Sequence, residues 1–467
     1  MRALLIVSTL AHYNYLTKVA DALACIGYVP VFYLEVDVSD KNTLVNRVSL
    51  DGYFFTDGTK SYPPEVNISS SKEFVKPSIY QFSNAQFKTP SYQKVRKYFA
   101  RLKALVFFPQ LLYISQKAYV TKKIINSIKP SLLITAEDIG YGSPYLVSAA
   151  KKLNIPSIVC PFSMANSEEY IFSKTLYNIY PSNRSIASKI NFFLITTFFP
   201  TWVKECNGRK YTKSDYFLIP LVCYFFGGYV LNPWTITGGK SDVVFVESDF
   251  IKDYYVKAGT CSEKIKIVGA YRDRKANFRA DDKFSLAKKI GADAALKWVV
   301  FSPSPDHINN DVYPDYATMF TNVIGLMQHA NVVVIVSLHP RLKKEDFNFI
   351  SESYQQLVLV EGQVEMLIEF CDLFIASGSA SIRYALAFRK PIINYNLYKL
   401  PYSEYDSLPM VKKCEDEELF MKHYKEIITC SDSGSANDND YGKYPANYFG
   451  GNSSSFVDEL MNLLPQT

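Results

Sequence analysis

Two short runs in the last third of the chain leave few folds open. Val332-Val333-Val334-Ile335-Val336 is an unbroken β-branched apolar run, and it breaks at Ser337-Leu338-His339-Pro340-Arg341. A second run, Leu373-Phe374-Ile375-Ala376, opens into Ser377-Gly378-Ser379-Ala380-Ser381. A helix-like segment follows, then Lys390-Pro391-Ile392-Ile393-Asn394. Apolar runs without polar alternation are strands buried on both faces, as in the parallel sheets of α/β proteins. Both runs end in small, polar, hydrogen-bonding loops, and open α/β sheets bind ligands outside the carboxyl ends of their strands. A Ser/Gly-rich turn that enters a helix presents backbone N–H groups to an anion. The expected guest carries a phosphate.

The rest of the chain repeats this rhythm. Arg2 to Ser8, Val29 to Glu35, Ser131 to Thr135, Ser157 to Cys160, Val243 to Glu247 and Ile265 to Gly269 read as strands, with helices at Tyr15 to Ile26 and Tyr145 to Leu153. This opening places His12 on the first βα loop. Tyr92 to Ile128 reads as a basic helix, and residues 161–240 interrupt the pattern. Ala276 to Leu296 is charged and reads as a linker. Trp298 to Ser302 then starts a second βα series, which Ser455 to Leu464 closes as a terminal helix. A length of 467 residues fits two domains, expected at 1–285 and 286–467, with an insertion at about 161–240 and the terminal helix able to cross back.

Charge is unevenly spread along the chain. Phe74 to Ala136 holds eleven Lys and Arg and no acid, and Lys174 to Lys213 holds seven against Glu205 alone. Such a span favours an anionic partner: a membrane surface, a phospholipid-linked or acidic glycan, or nucleic acid. No recognition motif accompanies the charge, so nucleic acid is not expected. The eight cysteines show no C-x-x-C and no metal-ligand spacing, which suits reduced thiols in the cytoplasm. The apolar run Ala3 to Val7 is too short for a signal peptide.

His339-Pro340 after a strand, with Ser377-Gly378-Ser379-Ala380-Ser381 after the next apolar run, resembles the GT-B glycosyltransferases that build bacterial surface polysaccharide. The likeness is closest to polysialyltransferase-like and Kdo-transferase-like enzymes. Asp372-Leu373-Phe374-Ile375 and Ala385-Leu386-Ala387 through Pro391 fit the wider donor-side pattern. The resemblance covers residues 298–396, touches 243–271 and the opening strand, and leaves out 161–240. It implies an α/β GT-B fold, with two Rossmann-like domains facing a central cleft and an aromatic, basic helical insertion in the N-terminal one. It also implies a nucleotide-sugar co-substrate and no metal or other cofactor. Where many GT-B enzymes carry a ribose-binding glutamate, this chain reads Ser381-Ile382-Arg383-Tyr384-Ala385. Arg383 can fork onto a phosphate or a sugar carboxylate, which leans towards a CMP-activated acidic sugar over a UDP-sugar.

The expected nucleotide-binding residues are Ser302, Ser304, His339, Pro340, Arg341, Ser377, Gly378, Ser379, Ser381 and Arg383. A helix cap needs one serine, so three alternating with small residues favour a ligand. For Ser302 and Ser304 a structural turn is an equal reading, and for Arg341 a solvated surface position is. The base that accepts the acceptor's hydroxyl proton is expected among Glu137, Asp138, His12 and Glu169, with Glu168 beside it. Asp438-Asn439-Asp440 lies in a Ser/Asn/Asp/Gly-rich stretch and reads as loop rather than as a metal site.

Tyr216 to Gly239 contains no charged residue and approaches the length of a membrane span, roughly 20 residues. Pro220, Gly227, Gly228 and Pro233 argue against one plain helix. The plainer reading is a buried helical insertion. The other is an element that dips into a membrane, with Lys204, Arg209, Lys210 and Lys213 at the headgroups.

Together these features lead to the expectation of a peripheral enzyme on the cytoplasmic face of the inner membrane. It would pass a sugar to a lipid-linked or anionic glycan in capsule or lipopolysaccharide synthesis. The alternatives are a non-hydrolysing UDP-sugar 2-epimerase, a CDP-glycerol-type glycerophosphotransferase and a non-catalytic scaffold of a polysaccharide-synthesis complex.

Overall fold

A computed structural model describes residues 1–8, 10–34, 54–55, 108–140, 142–164, 171, 186–206, 208–214, 216–269, 283–303, 313, 315–339, 342, 344–354, 356–362, 364–397, 403–429, 440–445, 448–450 and 456–463. The chain divides into two compact units. The first comprises Met1–Glu247, Ile251–Arg272 and Ser453–Thr467; the second comprises Ser248–Phe250 and Asp273–Asn452.

In chain order the strands of the first unit are β1 (Arg2–Val7), β2 (Val29–Leu34), β3 (Phe54–Phe55), β4 (Leu132–Thr135), β5 (Ser157–Val159), β6 (Val203–Cys206), β7 (Arg209–Thr212), β8 (Val243–Val246) and β9 (Ile265–Ile267). Seven of them form one sheet in the order β3-β2-β1-β4-β5-β8-β9, with every neighbouring pair parallel. Alternation along β1 sends Ala3, Leu5 and Val7 to one face and Leu4 and Ile6 to the other. The first face meets Leu16, Val19 and Leu23 of the helix Leu10–Cys25, and Phe456 and Leu460 of the helix Phe456–Leu463. The second meets Ile124, Ile125 and Ile128 of the helix Phe108–Ile128, and Leu146, Val147 and Ala150 of the helix Ser143–Lys152. Burial on both faces is why these strands read as solid apolar runs.

The second unit holds β10 (Lys297–Ser302), β11 (Val332–Leu338), β12 (Leu357–Glu361), β13 (Leu373–Ala376), β14 (Ile392–Tyr395) and β15 (Val411–Cys414). Its sheet runs β12-β11-β10-β13-β14-β15, again parallel throughout. Trp298 anchors the first of these strands. Its ring is fully buried, its Nε1 donates to the Asp293 carbonyl at 2.9 Å, and its backbone N–H donates to Asp372 at 2.8 Å. In both units the central strands follow the doubly wound order 3-2-1-4-5-6, which creates a switch point where the connections change direction.

Two expectations change. The first helix begins at Leu10 rather than Tyr15, so His12 lies in its first turn and not in a loop. Its ring is buried, which hid the polar residue's place in the helical pattern. Within residues 161–240 the chain forms an antiparallel hairpin, β6-β7, that the apolar pattern did not announce. As its prolines and glycines imply, the stretch Tyr216 to Gly239 is not one long helix: it makes the short helix Leu218–Phe226, ended by Gly227 at φ +82°. Among the described residues no helix is long and apolar enough to cross a membrane. The basic helix is described from Phe108 on, and its expected earlier part, 92–107, lies outside the described residues.

Candidate functional site

Each sheet ends its two switch-point strands in a cluster of polar groups, and the two clusters differ in kind. In the first unit β1 runs into Ser8 and His12, and β4 runs into Glu137 and Asp138. The Ser8 backbone N–H approaches His12 Nδ1 at 3.4 Å, and the imidazole meets Phe162 edge-on at 4.4 Å between centroids. Burial pulls the His12 proton affinity down to about 4, so the ring is neutral at ordinary pH. The Ser8 hydroxyl is also buried and makes no hydrogen bond among the described residues.

Glu137 and Asp138 are neighbours with opposite circumstances. Asp138 is fully buried. Its Oδ1 accepts the Gly239 N–H at 2.8 Å, and its Oδ2 accepts the Ser241 N–H at 3.1 Å and the Ser241 hydroxyl at 2.7 Å. These donors and Lys264 pull its proton affinity down, while burial raises it by more. The Asp138 backbone N–H also donates to the Ile236 carbonyl, so this residue fastens the far end of the 161–240 region to the sheet. Gly238 and Gly239 allow that closure: a Cβ on Gly238 would collide with the Asn232 carbonyl oxygen, and one on Gly239 with the Asp138 carbonyl oxygen. Asp138 as an acceptor-facing base is therefore corrected: it is a staple with both oxygens occupied.

Glu137 is only partly covered. Its backbone carbonyl takes the Thr135 hydroxyl at 2.6 Å, and its carboxylate folds back over Gly140, where a Cβ would come within 2.5 Å of Oε1. Burial first, and then the Asp138 charge, raise its proton affinity to about 7 against the pull of Lys213. A general base works best when its proton affinity lies near the operating pH. By that measure Glu137 is better matched than His12, whose ring is too weak a base at about 4. Glu168 and Glu169 lie outside the described residues.

Among the described residues, the ends of β10, β11, β13 and β14 in the second unit carry hydroxyls, amides, an imidazole and a cation. Ser302 closes β10, and Ser337 and His339 follow at the end of β11. The Ser337 hydroxyl donates to the Gly362 carbonyl at 3.2 Å, and a tight turn from His339 is closed by the Leu342 N–H at 2.8 Å. Beyond β13 the chain turns through Ser377 and Gly378, the glycine at φ +59°. A side chain there would be strained. The Gly378 N–H donates to Asn394 Oδ1 at 2.9 Å. Ser379 accepts the Ser381 N–H at 3.2 Å and donates its own hydroxyl to Ser381 Oγ at 3.1 Å. Ser381 makes no side-chain cap on the helix Ile382–Ala387. The serines therefore shape the loop rather than cap the helix. Arg383 is buried, with its guanidinium over the Tyr384 ring at 4.9 Å and Nη2 donating to the Tyr384 hydroxyl at 3.0 Å. A guanidinium keeps its charge when buried, so it holds a fixed positive charge beside this loop.

The structure thus brings Ser302, Ser377, Gly378, Ser379, Ser381 and Arg383 to the β10 and β13 ends, with His339 at the end of β11. Ser304, Pro340 and Arg341 lie outside the described residues. Sequence reasoning missed Asn394 and Asn396, both buried at the end of β14. A polar residue that ends the apolar run Pro391-Ile392-Ile393 was the available signal. Of Asp438-Asn439-Asp440 only Asp440 is described, and its carboxylate is held by Lys443 at 2.8 Å and Lys412 at 3.7 Å.

No protein-family model matches the chain, and no curated protein is similar to it in sequence. Solved structures are similar to it in fold. The glycosyltransferase of kitacinnamycin is 11% identical with a TM-score of 0.51, over 99% of this chain and 98% of that one. A putative UDP-N-acetylglucosamine 2-epimerase from Listeria monocytogenes is 10% identical with a TM-score of 0.50, over 98% and 94%. Identities this low speak for the fold alone, and the fold is of the GT-B type: α/β, with two Rossmann-like parallel-sheet domains.

Proposed function

We propose that this chain is a glycosyltransferase that moves a sugar from a nucleotide-activated donor to a lipid-linked or anionic glycan in bacterial surface polysaccharide synthesis. The observation that carries the reading is the second unit's switch point. There a Rossmann strand order ends in the Ser377–Ser381 loop after β13, with the buried Arg383 in the helix that follows and His339 at the end of β11, on the far side of β10. Ligands of doubly wound sheets bind at such a place. Small residues let a phosphate approach the backbone, and fixed donors meet the charge that grows on the leaving nucleotide.

In this reading the acceptor hydroxyl attacks the anomeric carbon of the donor sugar. The bond from that carbon to the nucleotide phosphate breaks, and its electron pair leaves on the phosphate, held by His339 and Arg383. The hydroxyl proton passes to Glu137, the one described carboxylate of the first unit's switch point not committed to a staple. Arg383, standing where many GT-B enzymes keep a glutamate, favours a CMP-activated acidic sugar. No metal enters this scheme.

A panel of CMP, CDP, UDP and GDP in thermal-shift titrations tests the donor site, with His339→Ala alongside. One nucleotide should stabilise the protein and lose its effect in the variant. A second reading, sugar-nucleotide 2-epimerisation, draws on the likeness to the Listeria protein. Incubation with a UDP-sugar in the absence of any glycan separates the two, since epimerisation needs no acceptor.

A further inference from the structure

Two helices of the 161–240 region, Leu218–Phe226 with no charged residue and Ile186–Phe198 with eight apolar residues of thirteen, turn large apolar side chains outward. A helix of that composition is normally enclosed by protein or set in lipid. In the helix Ile186–Phe198, Ile195 is buried against Phe199 and Trp202, while Ile190 and Phe193 are exposed on another side, Phe193 by 65%. The helix Leu218–Phe226 packs Cys223 and Val222 against Ile114 and Tyr145 and leaves its last turn, Tyr224 to Phe226, outside, with Phe225 exposed by 74%. The two helices meet through one aromatic cluster. Phe217 lies 5.7 Å from both Phe198 and Phe199, and Tyr229 lies 5.6 Å from Phe199 and 5.8 Å from Tyr224. The outward aromatics therefore flank one continuous platform. Scattered exposed apolar residues need no explanation, but a concentration of this kind marks a contact surface.

Charge beside the platform indicates what covers it. Gly227, at the end of the second helix, sits against Ser148, so that a Cβ there would lie 3.0 Å from its hydroxyl. Lys151 and Lys152 stand one turn beyond Ser148 on the helix Ser143–Lys152, both exposed. Lys240 reaches over the Tyr229 ring at 5.7 Å. These three lysines crowd one another enough that Lys151 and Lys152 help pull the Lys240 proton affinity down, after burial. On the other flank Trp202 stacks on Tyr229 at 5.8 Å and leads directly into the β6-β7 hairpin, with Lys204, Arg209 and Lys210 exposed. Aromatic and aliphatic tips between two sets of lysines match an anionic bilayer: rings enter the acyl boundary, and ammonium groups stay among the headgroups.

We propose that this aromatic platform docks the first unit onto a bilayer surface rich in anionic phospholipid. The proposal does not depend on which reaction the protein performs. The test is flotation of the full chain with vesicles of phosphatidylcholine alone and with 30% phosphatidylglycerol added, for the parent and two double variants. Phe193→Ser with Phe225→Ser removes the outermost rings, and Lys152→Glu with Lys204→Glu reverses one charge on each flank. The parent should float with the anionic vesicles and not the neutral ones. The aromatic variant should lose binding to the anionic vesicles, and the charge variant should bind them about tenfold more weakly, since an anionic surface attracts each nearby cation. All four positions are exposed, so thermal midpoints should match the parent's and exclude misfolding. The proposal is overturned if the parent stays with the soluble fraction, if it binds neutral vesicles equally, or if both variants float like the parent. It is also overturned if sedimentation velocity shows a parent dimer that the aromatic variant dissociates while no vesicle is bound, which would make the platform an interface between two copies.

Discussion

The two switch points share a strand order and differ in what they place at the strand ends. The first unit offers titratable groups in dry surroundings: a neutral His12, a Glu137 that holds its proton up to about 7, and a fully engaged Asp138. The second offers hydroxyls, a buried amide and a permanent guanidinium charge. One edge presents groups that can exchange a proton, and the other presents hydrogen-bond donors and a fixed cation. One backbone solution thus serves two chemistries, and the loops after the strands decide which.

The comparison breaks first at Asp138. Asp138→Ala should cost roughly 3–5 kcal/mol in urea unfolding, because three donors lose their buried acceptor at once. Loss of under 1 kcal/mol would remove the staple reading and reopen the residue as a base. Glu137→Gln should instead leave the fold intact and cut glycosyl transfer by about 10²–10⁴-fold with nucleotide affinity unchanged, as expected for a proton acceptor. The same variant sharpens the pH dependence. The Glu137 proton affinity is raised from 4.5 to about 7, so its share of stability is full below pH 4.5 and is lost as pH rises towards about 7. That loss amounts to up to about 3 kcal/mol, and Glu137→Gln should flatten the stability curve across that window. On the second edge, His339→Ala should weaken nucleotide binding at constant fold stability, read by titration calorimetry. The smallest effect belongs to Gly378→Ala: forcing a side chain to φ +59° should cost about 1–2 kcal/mol, with a few-fold loss of nucleotide affinity.

Much of this was legible in the sequence where burial is two-sided. Val332 to Val336 and Leu373 to Ala376 admit no exposed face, so their strands and the polar loops that follow could be read directly. His12 was misplaced because a polar residue inside the first turn of a helix looks like a loop, and only its burial against Phe162 shows otherwise. The hairpin β6-β7 carried a readable sign in the dipeptide Asn-Gly at 207–208, a sequence favoured between antiparallel strands, which the apolar reading of the region obscured. Nothing local could separate Glu137 from Asp138. The donors that occupy Asp138 come from Gly239 and Ser241, about a hundred residues away along the chain. The strand Val411–Cys414 also went unread, because only its first and last residues are buried.

The helix Phe456–Leu463 sets a condition on assembly. Phe456 lies edge-on to Phe245 at 5.4 Å, and Leu460 is fully enclosed within the first unit's core. On a ribosome, residues 273–452 emerge before those two side chains do. The first unit is thus begun early and completed last, its apolar flank waiting while another unit is synthesised. Loop closure across so long a separation is slow, and surface waiting to be covered is prone to aggregate. Emergence of this helix, rather than synthesis of the first sheet, is the moment at which this unit acquires its full stability.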